Sequence, residues 1–235
     1  MQSCNVRACI CCDLGQKHQT QRSHLLIFWY ELGYRRLALG KWVPVTECRM
    51  TTLSLLDTPP IVRRFGSFRG MVRLALSHAQ IGLITQPDLA AIERLVFVCR
   101  GNICRSAFAH ALAESLGFPV ASFGLRTASG RPAHDPVILE ARQRGFDLSR
   151  HKALAVEEFV SKPADLYLVM EYRQIAELRS LARFAASPVD LLGRYGGRPH
   201  LHDPYGLGPA FTSTSLSDID RSVRALIAAI RTAQS

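Results

Sequence analysis

The 235-residue chain is 48% hydrophobic and 20% charged, a balance that supports a packed core and excludes global disorder. No apolar run approaches the roughly 18–20 residues that span a bilayer. The early apolar stretch at residues 25–30 is shorter than a signal-peptide core, so a cytoplasmic protein with no membrane partner is expected. Lys and Arg outnumber Asp and Glu by 29 to 19, a net charge of +10. The basic residues are scattered without an aromatic–basic stripe, which favours an anionic substrate over a nucleic acid.

The cysteines are Cys4, Cys9, Cys11, Cys12, Cys48, Cys99 and Cys104. A secreted disulfide framework would spread them through a small domain, so reduced thiols are expected instead. Cys9, Cys11 and Cys12 lack zinc-site spacing even with His18 and His24 nearby, and no metal or cofactor is expected. Residues 1–49 carry Phe28, Trp29, Tyr30 and Trp42 without a sustained period, and predict no stable element. Met50 opens more regular sequence and is a candidate start of translation.

Residues 50–93 form a partly helical accessory segment. Phe65, Phe68, Met71, Val72 and Leu76 recur at three- and four-residue steps with Arg63, Arg64, Arg69 and Arg73 between them, the pattern of a helix that covers an apolar face of the catalytic domain or docks a partner. A second short helical piece begins at the Gln86-Pro87-Asp88 turn. From residue 94 to 235 strands and helices alternate. Strands are predicted at 95–98, 119–122, 166–170 and 189–192, and helices at 107–116, 136–144, 171–185 and 218–233. Alternation of this kind means an α/β sandwich around a parallel sheet.

The chemistry is concentrated in Cys99-Arg100-Gly101-Asn102-Ile103-Cys104-Arg105-Ser106, between the first strand and its helix. A helix start offers unpaired N–H groups and a positive dipole end, and a loop curled above it makes an anion-binding nest. Gly101 and Asn102 are the residue types that tolerate left-handed backbone angles in such a curl. The Cys99 thiolate would sit among N–H dipoles beside a guanidinium, surroundings that favour a reactive nucleophile. Arg105 can return across the loop and grip two phosphate oxygens with its planar fork. Ser106 can donate its hydroxyl to the sulfur.

An apolar strand, C-x-G-N-x-C-R-S and a helix in that order resemble the low-molecular-weight protein-tyrosine phosphatases. The resemblance covers residues 94–233 and implies a three-layer sandwich, a four-stranded parallel sheet flanked by helices, with residues 1–93 as an extension. It implies Cys99, Arg105 and Asp203 as catalytic residues. Asp203 lies in His202-Asp203-Pro204-Tyr205-Gly206, the family's late Asp-Pro-aromatic motif, and would protonate the leaving phenolate. Arg100, Gly101, Asn102, Ile103, Cys104, Ser106 and Tyr205 are the expected substrate-binding residues, with Tyr205 stacking on the substrate ring. The implied partner is a phosphotyrosine protein, of which a bacterial tyrosine autokinase is one form. The family also suggests a reversible Cys99–Cys104 disulfide under oxidants.

Other readings stay open on the residues alone. Arsenate reductases of this fold need later cysteines, and none follows Cys104. Protein-arginine phosphatases carry Thr where Ile103 stands. A non-catalytic phosphate-binding module would not need Cys99, Arg105, Ser106 and Asp203 together. Asp135 is expected to cap a helix, Asp190 to lie on a strand edge, and His110, His200 and His202 to be packing or loop residues. Arg100 is either a rim charge favouring acidic peptides or a solvated side chain. No aromatic counterpart to Tyr205 occurs between residues 125 and 129.

Overall fold

The computed structural model describes residues 34–36, 42–44 and 59–235. The expectations for the five early cysteines, for a zinc site among them and for a start at Met50 lie outside these residues. The chain divides into two units, Met1–Asp57 and Thr58–Ser235. In the first, β1 (Tyr34–Arg36) and β2 (Trp42–Pro44) pair antiparallel, with Arg35 opposite Val43. Three residues a strand are too few to show an alternating pattern, which is why the sequence gives no sign of them.

The second unit is built on β3 (Arg94–Cys99), whose residues 95–99 are buried on both sides. It pairs in parallel with β4 (Val120–Gly124) and β5 (Asp165–Val169), and β5 pairs with β6 (Val189–Leu191), giving the order β4-β3-β5-β6. The two-residue period divides the core. Leu95, Phe97, Leu166 and Leu168 face one layer, with Phe108, Leu112, Val137, Val223 and Ile227. Val96, Val98, Tyr167 and Val169 face the other, with Phe123, Phe159, Leu178 and Phe184. This is the expected three-layer α/β sandwich, with Cys99 at the carboxyl end of an inner strand, where ligands of open parallel sheets bind.

The helices are α3 (Arg105–Ser115), α4 (Asp135–Gln143), α5 (Tyr172–Arg179), the short α6 (Leu192–Tyr195) and α7 (Gly208–Gln234). Several bounds differ from the expectation. The predicted helix 171–185 ends with α5 and resumes only as a single turn, Ala182–Phe184. Asp135 does not cap α4; His134 occupies that position and no side chain caps it. The last helix begins ten residues before residue 218. Its first turns are rich in Ser and Thr, which disfavour helix interiors, but here the hydroxyls bond back one turn: Thr212 to the Gly208 carbonyl, Thr214 to Ala210 and Ser217 to Ser213. Phe211, Leu216 and Ile219 supply the buried face.

Ahead of the sheet lie α1 (Pro60–Phe65) and α2 (Phe68–Gln80). The periodic run of residues 65–76 is broken because Gly66 takes φ +74° and Ser67 turns extended, its hydroxyl accepting the Gly70 N–H at 3.0 Å to cap α2. The predicted stripe is split: Phe65 and Met71 are half-buried, while Phe68, Val72 and Leu76 are exposed. The buried positions of α2 are the small residues Gly70 and Ser77. The piece after Gln86 is one turn, Leu89–Ala91, capped by Asp88.

Candidate active site

The loop between β3 and α3 is held by Asn102, which is fully buried at φ +52°, the left-handed region Asn tolerates. Its Oδ1 accepts the Leu154 N–H at 2.9 Å, which fixes the amide the other way round for its Nδ2. That Nδ2 donates to Ser106 Oγ at 2.8 Å and Ser122 Oγ at 3.0 Å. With Ser106 already accepting, its own hydrogen is free to point at Cys99 Sγ, 3.0 Å away. The Asn102 N–H also points at that sulfur, at 3.3 Å. His151 Nε2 meets the Asn102 carbonyl at 2.7 Å, and His110 Nδ1 meets Ser122 Oγ at 3.2 Å. Burial lowers the pKa of both histidines, so each serves as a neutral ring.

Gly101, expected to be left-handed, has no positive φ; only Asn102 does. A closer constraint sits across the sheet at Gly124, where a Cβ would fall 2.7 Å from Thr127, 3.0 Å from the Gly101 carbonyl carbon and 3.1 Å from the Arg100 oxygen. The bare glycine lets β4 press against the loop.

Arg105, first residue of α3, is 1% exposed. Its Nη1 donates to Glu171 Oε1 at 2.7 Å and the Leu201 carbonyl at 2.9 Å, and its Nη2 donates to Asp203 Oδ2 at 2.7 Å. Its Nε has no hydrogen-bond partner among the described residues. Burial works against the guanidinium charge, but Asp203, Cys99 and Glu171 around it outweigh that cost and raise its pKa. Glu171 is also buried. Burial pushes its carboxyl up, yet the charge and hydrogen bond of Arg105, with Arg173 at 2.9 Å, hold it down at about 2. Burial pushes the Cys104 thiol well above the usual thiol range.

Above the loop lies a cavity of about 260 Å³ lined by Cys99, Arg100, Gly101, Ile103, Cys104, Arg126, Arg131, Asp203 and Tyr205. Seven of the ten residues expected at the site therefore line one space. Arg105, Asn102 and Ser106 lie beneath it, and the two uncharged ones contact the Cys99 sulfur. Tyr205 is 58% exposed, and the ring of His134 lies against it at 4.7 Å. Arg126 and Arg131 also line this cavity. No sequence signal singled out Arg126 or His151, whereas Gly124, Arg131 and His134 fall in stretches that carry the family resemblance, residues 122–124 and 130–136. Glu171 did leave one: it starts the E-x-x-Q of a capping box, with both reciprocal bonds formed. Among the described residues, no three His, Cys, Asp or Glu side chains are grouped to hold a metal, and no helix is long and apolar enough to cross a membrane.

A buried thiol at a strand end, facing a helix start with an arginine and a carboxylate above it, is the layout of a cysteine-dependent phosphatase. Residues 94–235 match the family described as low molecular weight phosphotyrosine protein phosphatase, and the chain belongs to that family. It is similar to the "Probable low molecular weight protein-tyrosine-phosphatase EpsP" of Ralstonia nicotianae, at 34% identity over 60% of this chain and 97% of that protein. Wzb of Vibrio vulnificus, solved in complex with benzylphosphonate, superposes with a TM-score of 0.52 at 25% identity, covering 60% of this chain and 99% of that one. An arginine phosphatase, YwlE of Geobacillus stearothermophilus, shares the fold with a TM-score of 0.54 at 22% identity, over 60% and 95% of the two chains.

Proposed function

We propose that the protein hydrolyses phosphotyrosine in proteins through a phosphocysteine on Cys99. The observation that carries this reading is the pairing of Cys99 and Asp203 in the lining of one cavity, with Arg105 bonded to Asp203 beneath it and Ser106 hydrogen-bonded to the sulfur. In the first step the Cys99 sulfur attacks phosphorus as the bond to the tyrosyl oxygen breaks, and Asp203 gives that oxygen its proton. Arg105 neutralises charge on the phosphoryl oxygens, with its unpartnered Nε as a further donor. In the second step Asp203, now a carboxylate, takes a proton from water. The water oxygen bonds to phosphorus, the S–P bond breaks, and the Ser106 hydroxyl stabilises the departing thiolate.

The rim supports a narrower substrate class. Arg100, Arg126 and Arg131 line a cavity that has Arg105 beneath it, so phosphotyrosines flanked by Asp or Glu are the favoured targets. A tyrosine-phosphorylated protein of the bacterial autokinase kind would suit it. Ile103 in the cavity lining favours phosphotyrosine over phosphoarginine.

The test is hydrolysis of a phosphotyrosine peptide, a phosphoarginine peptide and p-nitrophenyl phosphate. Cys99→Ser should abolish all turnover. Asp203→Ala should lose about 10²-fold or more on phosphotyrosine and far less on p-nitrophenyl phosphate, whose leaving group needs little protonation. Faster hydrolysis of phosphoarginine than of phosphotyrosine would overturn the substrate assignment, and an active Cys99→Ser would overturn the covalent one.

A further inference from the structure

The helices α1 and α2 precede the residues that match the family, yet α2 brings Arg73 to Glu171, one of the two carboxylates bonded to Arg105. We propose that they form a strap that positions the general acid, with Ser67 and Gly70 holding His202 so that its neighbour Asp203 stays over the cavity. This rests on the reading of Asp203 as the acid.

The contacts are close and specific. Ser67 Oγ is 3.4 Å from His202 Nε2. A Cβ on Gly66 would lie 2.7 Å from the His202 ring and 2.8 Å from both Leu207 and Phe211, and one on Gly70 would lie 3.2 Å from the ring. His202 is thus gripped between the strap and Phe211 of α7, whose ring meets it edge to face at 5.8 Å. The strap is itself clasped at two points. Arg198 donates to the Arg64 carbonyl at 2.9 Å, and Thr214 to the Arg63 carbonyl at 2.8 Å. Further along α2, Arg73 comes within 4.0 Å of Glu171 Oε2, the carboxylate that holds the other end of the Arg105 fork.

The side on which α2 docks points the same way. A helix that only covered core would bury Phe68, Val72 and Leu76, which here are exposed. It buries Gly70 and Ser77 instead, and gives up apolar burial for a close approach to the His202 segment. That geometry confers precision on one loop rather than bulk stability.

A looser acid loop slows leaving-group departure, the step that kcat/KM reads, most where that oxygen needs a proton. In the full-length protein, Gly70→Ala adds a Cβ that collides with the Phe65 carbonyl and presses on the His202 ring. It should lower kcat/KM on a phosphotyrosine peptide about fivefold or more, with kcat/KM for p-nitrophenyl phosphate within about twofold. Ser67→Ala should show a smaller loss with the same selectivity, restored by Ser67→Thr, which keeps the hydroxyl. Equal losses on both substrates, or none in Ser67→Ala, would overturn the inference; should Gly70→Ala not fold, the Ser67 pair decides. Asp203→Ala is the reference. If it too loses equally on both substrates, the acid assignment fails and the strap falls with it. If only the strap variants lack selectivity, the acid stands and the strap alone is refuted.

Discussion

Asn102 offers the sharpest test of how the loop is built, because its amide serves both the fold and the sulfur. Replacing it with Ala removes three buried side-chain hydrogen bonds, of 2.8, 3.0 and 2.9 Å. Ser106 and Ser122 keep other partners, at Cys99 and His110, so each of those losses should cost about 1 kcal/mol. The Leu154 N–H is left unpaired, at about 1–3 kcal/mol. Ala at a φ of +52° adds about 1 kcal/mol that Asn largely avoids. Asn102→Ala should therefore destabilise by about 4–6 kcal/mol, lowering Tm by ~10 °C or more for a unit of this size. Asn102→Asp separates the two duties. It keeps the shape and the Leu154 bond but loses the donor to Ser106, whose hydrogen then turns to the new carboxylate and leaves the sulfur. Its kcat on p-nitrophenyl phosphate should fall by ~10-fold or more, beyond anything its Tm explains, while circular dichroism melting follows the fold. An Asp variant with wild-type kcat would refute the role given to the Ser106 hydrogen. An Ala variant within about 2 °C of wild type would refute the bond accounting.

Two further outcomes follow from charge. His200 is buried, which lowers its pKa to about 4, and Glu171 is held at about 2. In both cases the unfolded chain binds the extra proton more readily, so their contribution is complete above about pH 6.5. It falls from about 6.5 to 4 for His200 and from about 4.5 to 2 for Glu171, each worth about 3 kcal/mol. Urea midpoints should therefore drop steadily from pH 7 to pH 4; a flat profile would remove His200 from this account. At the rim, Arg131→Glu and Arg126→Glu should each raise KM for an acidic phosphopeptide about fivefold at low salt, with little change for a neutral one. Equal effects on both peptides would show that these arginines shape the cavity rather than read charge.

Much of the fold was legible because β3, β5 and the loop are local signals: an apolar run, a motif, a helix. The Asp203-Pro204-Tyr205 motif was legible for the same reason. What the sequence hid depends on contact at a distance. Glu171 matters because the β5 end brings it to Arg105, and Arg131 because its loop folds over the cavity. The start of α7 was hidden because Ser and Thr read as loop until their hydroxyls find the preceding turn. The outward turn of Phe68, Val72 and Leu76 was hidden because periodicity marks an amphipathic helix without saying which face docks. Glycine and serine at positions 70 and 77 carried that information, and small residues leave no hydrophobic signal.

Arg105 explains why the site needs so many cations. Its fork already bonds two carboxylates, Glu171 and Asp203, before any phosphate arrives. A phosphoryl dianion beside the Cys99 sulfur adds further negative charge to a buried guanidinium. Arg73 and Arg173 share Glu171, so that carboxylate draws less on Arg105, and the rim arginines offset the substrate from outside. The bond most open to exchange is the one to Asp203, whose side chain is 34% exposed where that of Glu171 is 2% exposed. A phosphate oxygen taking Nη2 would release Asp203 toward the leaving group, while Glu171 keeps the guanidinium in place. If Asp203 is the acid, phosphate binding and its release become one exchange of partners on a single side chain, with the buried Glu171 holding the guanidinium.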